Sequence, residues 1–162
     1  MSTLDVVFSG TMFAQTARMA IPYGCAALGG VICERSGVVN IALEGTLLAS
    51  ALASVAASFA GGVALAAIAA GVPCGAAVGL AHALLVVRGR VDAIVSGIAL
   101  NLVAAGGTRF MLRALYGSSS NSPSIRGVRF GEGWGLFART VFDPFLLATL
   151  GLVGASAWML RR

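Results

Sequence analysis

The chain has 162 residues, of which 58% are hydrophobic and 10% charged, with mean hydropathy +0.92 and a formal charge of +5. Soluble domains carry roughly 25% charged residues and about 45–50% apolar ones. So few charges cannot cover a sphere of this size, which excludes a soluble globule and leaves an integral membrane protein. The eleven basic residues are all Arg, scattered and not interleaved with aromatics, which argues against nucleic acid as a partner. Without Lys these residues contain no Walker A loop, so the chain is not itself a P-loop ATPase.

A spanning helix needs about 20 apolar residues to cross a hydrocarbon core roughly 30 Å thick. Five segments qualify as candidates, covering residues 6–31, 38–59, 63–87, 93–115 and 145–160. The first is interrupted by Arg18 and Pro22, which predicts a short interfacial helix followed by a tilted or partial span. Asp5 precedes any basic residue, so the segment does not read as a secretory signal peptide and is expected to stay in the mature protein.

The run Cys33-Glu34-Arg35-Ser36-Gly37-Val38-Val39-Asn40-Ile41-Ala42-Leu43-Glu44-Gly45 sets two acids, an Arg and an Asn among apolar spans. Charge and amide groups at membrane depth are costly and mark a pathway or a packed polar contact. Its two glycines predict a broken helix near residues 34–45. A break at that depth is tolerated only where protein or a water-filled cavity covers the freed backbone. At 100° per residue, Ser36, Asn40 and Glu44 fall within about 80° of one another. Ser54 and Ser58 return to that arc on a continuous helix, although Leu47 and Ala51 interrupt it. Two readings stand: the patch lines a solute route, or Glu44 pairs with an Arg or amide and ties two helices together. Glu34 and Arg35 read equally as an interfacial pair at a helix end.

The third segment carries Gly71, Gly75 and Gly79, a double GxxxG whose groove admits a neighbouring backbone. His82 shares that face and is expected to hydrogen-bond a partner helix, with a proton relay as the alternative. Pro73 is expected to kink the segment or free a carbonyl. Residues 88–92 (Arg88-Gly89-Arg90-Val91-Asp92) form a tight polar hinge. The fourth segment places Gly97, Asn101, Ala104, Ala105 and Thr108 on one packing or cavity face, with Arg109 and Arg113 near its far end. Residues 117–140 make one long Gly- and Ser-rich connection holding Arg126, Arg129, Arg139 and Trp134. Asp143-Pro144 reads as a helix cap with a first-turn proline, and Trp158 with Arg161-Arg162 as an interfacial anchor. Arginines on both the 88–90 and 117–140 connections leave orientation open by the positive-inside rule.

No HExxH, GxSxG, His pair, metal cluster or phosphate-cradling loop occurs, so enzyme chemistry, a metal and a cofactor are not expected. Cys25, Cys33 and Cys74 are isolated and read as small buried hydrophobes.

The run from Glu34 to Gly45 resembles a signature of permease subunits of ABC importers, in the branched-chain amino acid and simple-sugar class. The nucleoside or sugar branch is nearest. Arg90-Val91-Asp92-Ala93-Ile94-Val95-Ser96-Gly97-Ile98-Ala99-Leu100-Asn101 resembles that branch's second signature. The resemblance covers nearly the whole chain and implies an all-α polytopic transmembrane bundle. It further implies a second permease subunit, homologous or identical, two cytoplasmic ATPase subunits and an extracytoplasmic substrate-binding lipoprotein. On this likeness Ser36, Asn40, Glu44 and Asn101 belong to the substrate path, with the 88–90 loop cytoplasmic and the 117–140 loop outside. Family members continue beyond the position of Arg162 into a coupling helix and more spans. Residues 1–162 therefore correspond to the N-terminal half of a permease domain, through a truncated frame, a fragment or a separate chain that supplies the rest. The alternative is a small structural or assembly membrane protein that binds partner helices through its GxxxG face.

Overall fold

The computed structural model describes residues 10–61, 64–122 and 144–160. Every regular element among them is helical: α1 (Gly10–Arg35), α2 (Leu43–Gly61), α3 (Ala64–Ala83), a π-helical turn (Leu84–Arg88), α4 (Ala93–Tyr116) and α5 (Pro144–Leu160). Four stretches are long and apolar enough to cross a membrane, namely Gln15–Arg35, Leu43–Gly61, Leu65–Arg88 and Ala93–Tyr116. The fifth helix, at 17 residues, is shorter. It begins at the expected proline, while its expected cap Asp143 and the arginines and Trp134 of the 123–143 connection lie outside the described residues, as do Arg161 and Arg162.

The first segment departs from expectation. Instead of two pieces, α1 is one 26-residue helix that runs through Pro22. Proline deletes one i→i−4 hydrogen bond, and the bonds on either side carry the helix across it. The second segment departs too. Residues 36–42 are not helical, so α2 starts at Leu43 and the arc drawn on a continuous helix does not form.

The described residues fall into two compact units, one of 10–31 with 144–160 and one within 32–122. In the first, Thr149 of α5 is buried beside α1, its Oγ1 3.6 Å from Cys25 Sγ. In the second, α2 packs most extensively on α3 and also on α4, while α3 and α4 meet over a shorter stretch. Gly71 and Gly75 of α3 face Ser54 and Ser50 of α2. Cys74 Sγ lies 3.5 Å from the Ala49 carbonyl. Phe59 and Tyr116 close the α2–α4 pair with an edge-to-face contact, ring centroids 5.5 Å apart. Antiparallel α3 thus sits against two parallel neighbours.

The buried side chains of this bundle are small or polar, including Ala42, Ser96, Thr108 and His82. Its large apolar ones point outward: Leu65, Val72, Leu102, Val103 and Phe110 are each 67–71% exposed. That is the reverse of a water-soluble core and suits helices solvated by lipid, where close packing of small residues replaces hydrophobic burial.

The hinge between α3 and α4 is tighter than a plain loop. The Gly89 amide donates to Leu84 O, and Val91 N to Leu85 O, so the last turn of the span widens into a π turn. Arg90 then takes φ +54°. Asp92 caps α4, its Oδ1 accepting from Ile94 N at 2.9 Å and Val95 N at 3.2 Å.

Candidate functional site

The polar run begins where α1 stops. Gly37 adopts φ +85°. Its amide donates to Glu34 O at 3.0 Å and that of Val38 to Cys33 O at 3.3 Å. These paired bonds are the Schellman cap that a glycine just past a helix end permits. Ser36 Oγ adds a 2.6 Å bond back to Cys33 O, so its hydroxyl is held by the helix end.

Asn40 and Asn101 both serve the backbone of the break. Asn40 Oδ1 accepts from Ala42 N at 3.0 Å, and its Nδ2 lies 3.7 Å from Cys33 Sγ. Asn101, on α4, accepts from Gly45 N at 2.7 Å and donates to Ile41 O at 2.9 Å. One amide thereby satisfies a donor from the first turn of α2 and an acceptor from the non-helical segment before it. Glycines let the two chains come this close. A Cβ on Gly97 would meet Ile41 Cβ at 2.8 Å, and one on Gly45 would meet Asn101 Oδ1 at 2.9 Å.

Depth follows from helix geometry. The 24 residues of α4 extend about 36 Å at 1.5 Å per residue, more than the roughly 30 Å hydrocarbon core. Asn101 lies eight residues in, about 12 Å along the axis, so the break sits inside the span and not at its end. Polar backbone groups there need cover from protein or a water-filled cavity.

Glu44, in the first turn of α2, is exposed. It lines an open cleft of about 470 Å³ with Leu48, Ala105, Thr108, Arg109, Leu112, Ser119 and Ser120. Of the four residues expected on a substrate path, Glu44 alone lines this cleft; Ser36, Asn40 and Asn101 do not. The carboxylate at the α2 N-terminus is favourably placed against the helix dipole, and the cleft presents one anion, one cation and several hydroxyls. Arg109, Ser119 and Ser120 were not among the expected path residues. The i, i+4 spacing of Ala105 and Arg109 was readable, but the fold of residues 117–120 beside α2 was not.

The face expected to bind helices is split. Gly71 and Gly75 meet α2 of the same chain, whereas Gly79 has open space around it. His82 is buried, its Nδ1 3.1 Å from Ser96 Oγ on α4, and its Nε2 has no partner among the described residues. The described residues hold no cluster of three or more His, Cys, Asp or Glu able to ligate a metal.

Residues 12–162 match the family described as branched-chain amino acid transport system, permease component. The chain belongs to that permease family. It is 42% identical over 106 residues, 62% of its length, to the guanosine ABC transporter permease protein NupQ of Bacillus subtilis, covering 33% of that protein. It is 31% identical over 120 residues, 74% of its length, to a Haloferax volcanii protein assigned by name as a glucose ABC transporter permease, TsgC13, covering 35% of it. The chain therefore spans about a third of the length of the curated relatives it matches. No solved structure matches it at a significant level. Family membership and the four long apolar helices make it a multi-pass protein of the cell (inner) membrane.

Proposed function

We propose that this chain contributes part of the translocation path of an ATP-driven importer for a nucleoside or simple sugar. The observation that carries the reading is the 42% identity to a guanosine permease. A helix break within the span, with Glu44 of α2 turned to an open cleft that also presents Arg109 and hydroxyl groups, supports it. Discontinuous helices that expose polar groups near the midplane are a common way for transporters to contact their solutes.

On this reading the chain performs no chemistry of its own. ATP is hydrolysed by two cytoplasmic subunits, a second permease subunit completes the path, and an extracytoplasmic lipoprotein delivers the solute. The 88–90 hinge faces the cytoplasm. The substrate path would run past Glu44, with Ser36, Asn40 and Asn101 shaping the break beside it. The assembly-protein alternative loses ground because Gly71 and Gly75 of its binding face pack within the chain itself.

The test is uptake of guanosine and glucose into proteoliposomes that hold the assembled complex. ATP-dependent uptake of one of them is expected, with Glu44→Gln lowering uptake while subunits still co-purify. Uptake unaffected by Glu44→Gln and Glu44→Ala removes Glu44 from the path. Loss of co-purification with no separate effect on uptake favours the assembly reading.

A further inference from the structure

We infer that Asn101 is a positioning residue, a two-armed clamp that holds the helix break shut against α4. Its Oδ1 and its Nδ2 each hold a main-chain atom, the two lying four residues apart: Gly45 N at 2.7 Å and Ile41 O at 2.9 Å. Those two atoms flank the first turn of α2, where a helix leaves its leading N–H groups without intrahelical partners. Losing either bond would leave a backbone group bare inside the span.

The surroundings are built for this contact. Ala42, between the two clamped residues, is 0% exposed, and its amide is held by Asn40. Gly97, one turn before Asn101, has no room for a Cβ because Ile41 and the Ala42 amide lie against it. Ala104, the next residue round on the same α4 face, lies 3.2 Å from where a Gly45 Cβ would be. Three consecutive turns of α4 thus present Gly97, Asn101 and Ala104: space, clamp and stop. The clamp fixes the first turn of α2 and with it the direction of Glu44, one residue before Gly45. That last consequence rests on the transport reading above; the clamp does not.

The experiment reads the break directly, in the full chain in its native membrane. Cys25 and Cys33 are replaced, Cys74 is kept as an internal reference, and Ala42→Cys places a buried thiol under the clamp. Modification of that thiol by a water-soluble reagent reports opening of the break. Asn101→Leu, similar in size and without donor or acceptor, is expected to speed modification at 42 by about tenfold or more, the effect of losing two hydrogen bonds of ordinary net strength. Modification of Cys74 stays unchanged. Asn101→Asp adds a pH signature. The protonated acid offers one O–H and one carbonyl oxygen and reproduces both arms, whereas the carboxylate has lost its donor. Modification at 42, relative to the Asn101 parent at each pH, therefore rises with pH. The clamp is overturned if Asn101→Leu leaves the rate at 42 unchanged, if Cys74 accelerates equally, or if Asn101→Asp tracks its parent at every pH. Because the readout needs no solute, a failed uptake assay for Glu44 variants leaves it standing, and its own failure leaves the transport reading intact.

Discussion

Gly97 of α4 and Ile41 of the helix break approach so closely that a Cβ on the glycine would stand 2.8 Å from the isoleucine Cβ. Neither side can yield easily, because Ile41 is also tied to α4 through its carbonyl. Gly97→Ala is expected to destabilise the chain by about 1–3 kcal/mol, the usual range for overpacking. Gly107→Ala, ten residues on in the same helix and facing open space, should be neutral or slightly stabilising, since alanine is the better helix former. Thermal denaturation of the two variants in one detergent provides the comparison. Equal midpoints would mean that α4 does not rest on the break.

The bond between His82 and Ser96 couples the end of α3 to the first turn of α4 across the hinge. Both residues are buried, so Ser96→Ala leaves His82 Nδ1 in the same state as its Nε2. A double-mutant cycle with His82→Ala and Ser96→Ala should give a coupling of about 0.6 kcal/mol and up to ~1.7, the range measured between membrane helices. Strictly additive losses in thermal stability would show that the pair is adjacent without interacting.

Much of this arrangement was readable in the residues themselves. Composition demands a membrane protein, and α4 begins at its expected residue, Ala93, with Asp92 of the predicted hinge serving as its cap. The break at 34–45 announces itself through Gly37, Asn40 and Gly45. Other features were not readable. Periodicity places Ser54 on an arc with Ser36 and Asn40 only if the helix is continuous; with α2 restarted at Leu43 those two fall outside it, and Ser54 turns to Gly71. An amide on a small-residue face such as that of Asn101 serves a solute or a neighbouring backbone equally, and only distances reveal its two backbone partners. The π turn had no signal either, since Leu84-Leu85-Val86-Val87 is as compatible with an ordinary helix.

That turn makes its own prediction at the next two positions. A Cβ on Gly89 would lie 2.6 Å from Leu85 O, a backbone atom that already accepts from Val91. Gly89→Ala should therefore cost about 1–3 kcal/mol. Arg90, by contrast, holds φ +54°, a conformation that costs a non-glycine residue of order 1–2 kcal/mol. Arg90→Gly relieves it, offset by about 0.5–1 kcal/mol of extra unfolded-state entropy. The pair should shift the melting temperature in opposite directions, or leave Arg90→Gly level. If both variants melt early, the arginine side chain is making a contact that outweighs its backbone strain.

Glu44 and Arg109 line one cleft from two different helices, and their charges sum to zero. An uncharged, hydroxyl-rich solute suits such a lining, because a carboxylate accepts from hydroxyls and a guanidinium donates to them. On the transport reading, removing one charge leaves the cleft with a net charge that an uncharged solute does not match, whereas removing both restores neutrality. Glu44→Gln and Arg109→Gln should each depress uptake by the assembled complex. Joined in one chain, they should depress it less than the product of the two single effects. Multiplicative losses would mean that the two groups act on the solute independently, and full activity in the double variant would mean that neither touches it.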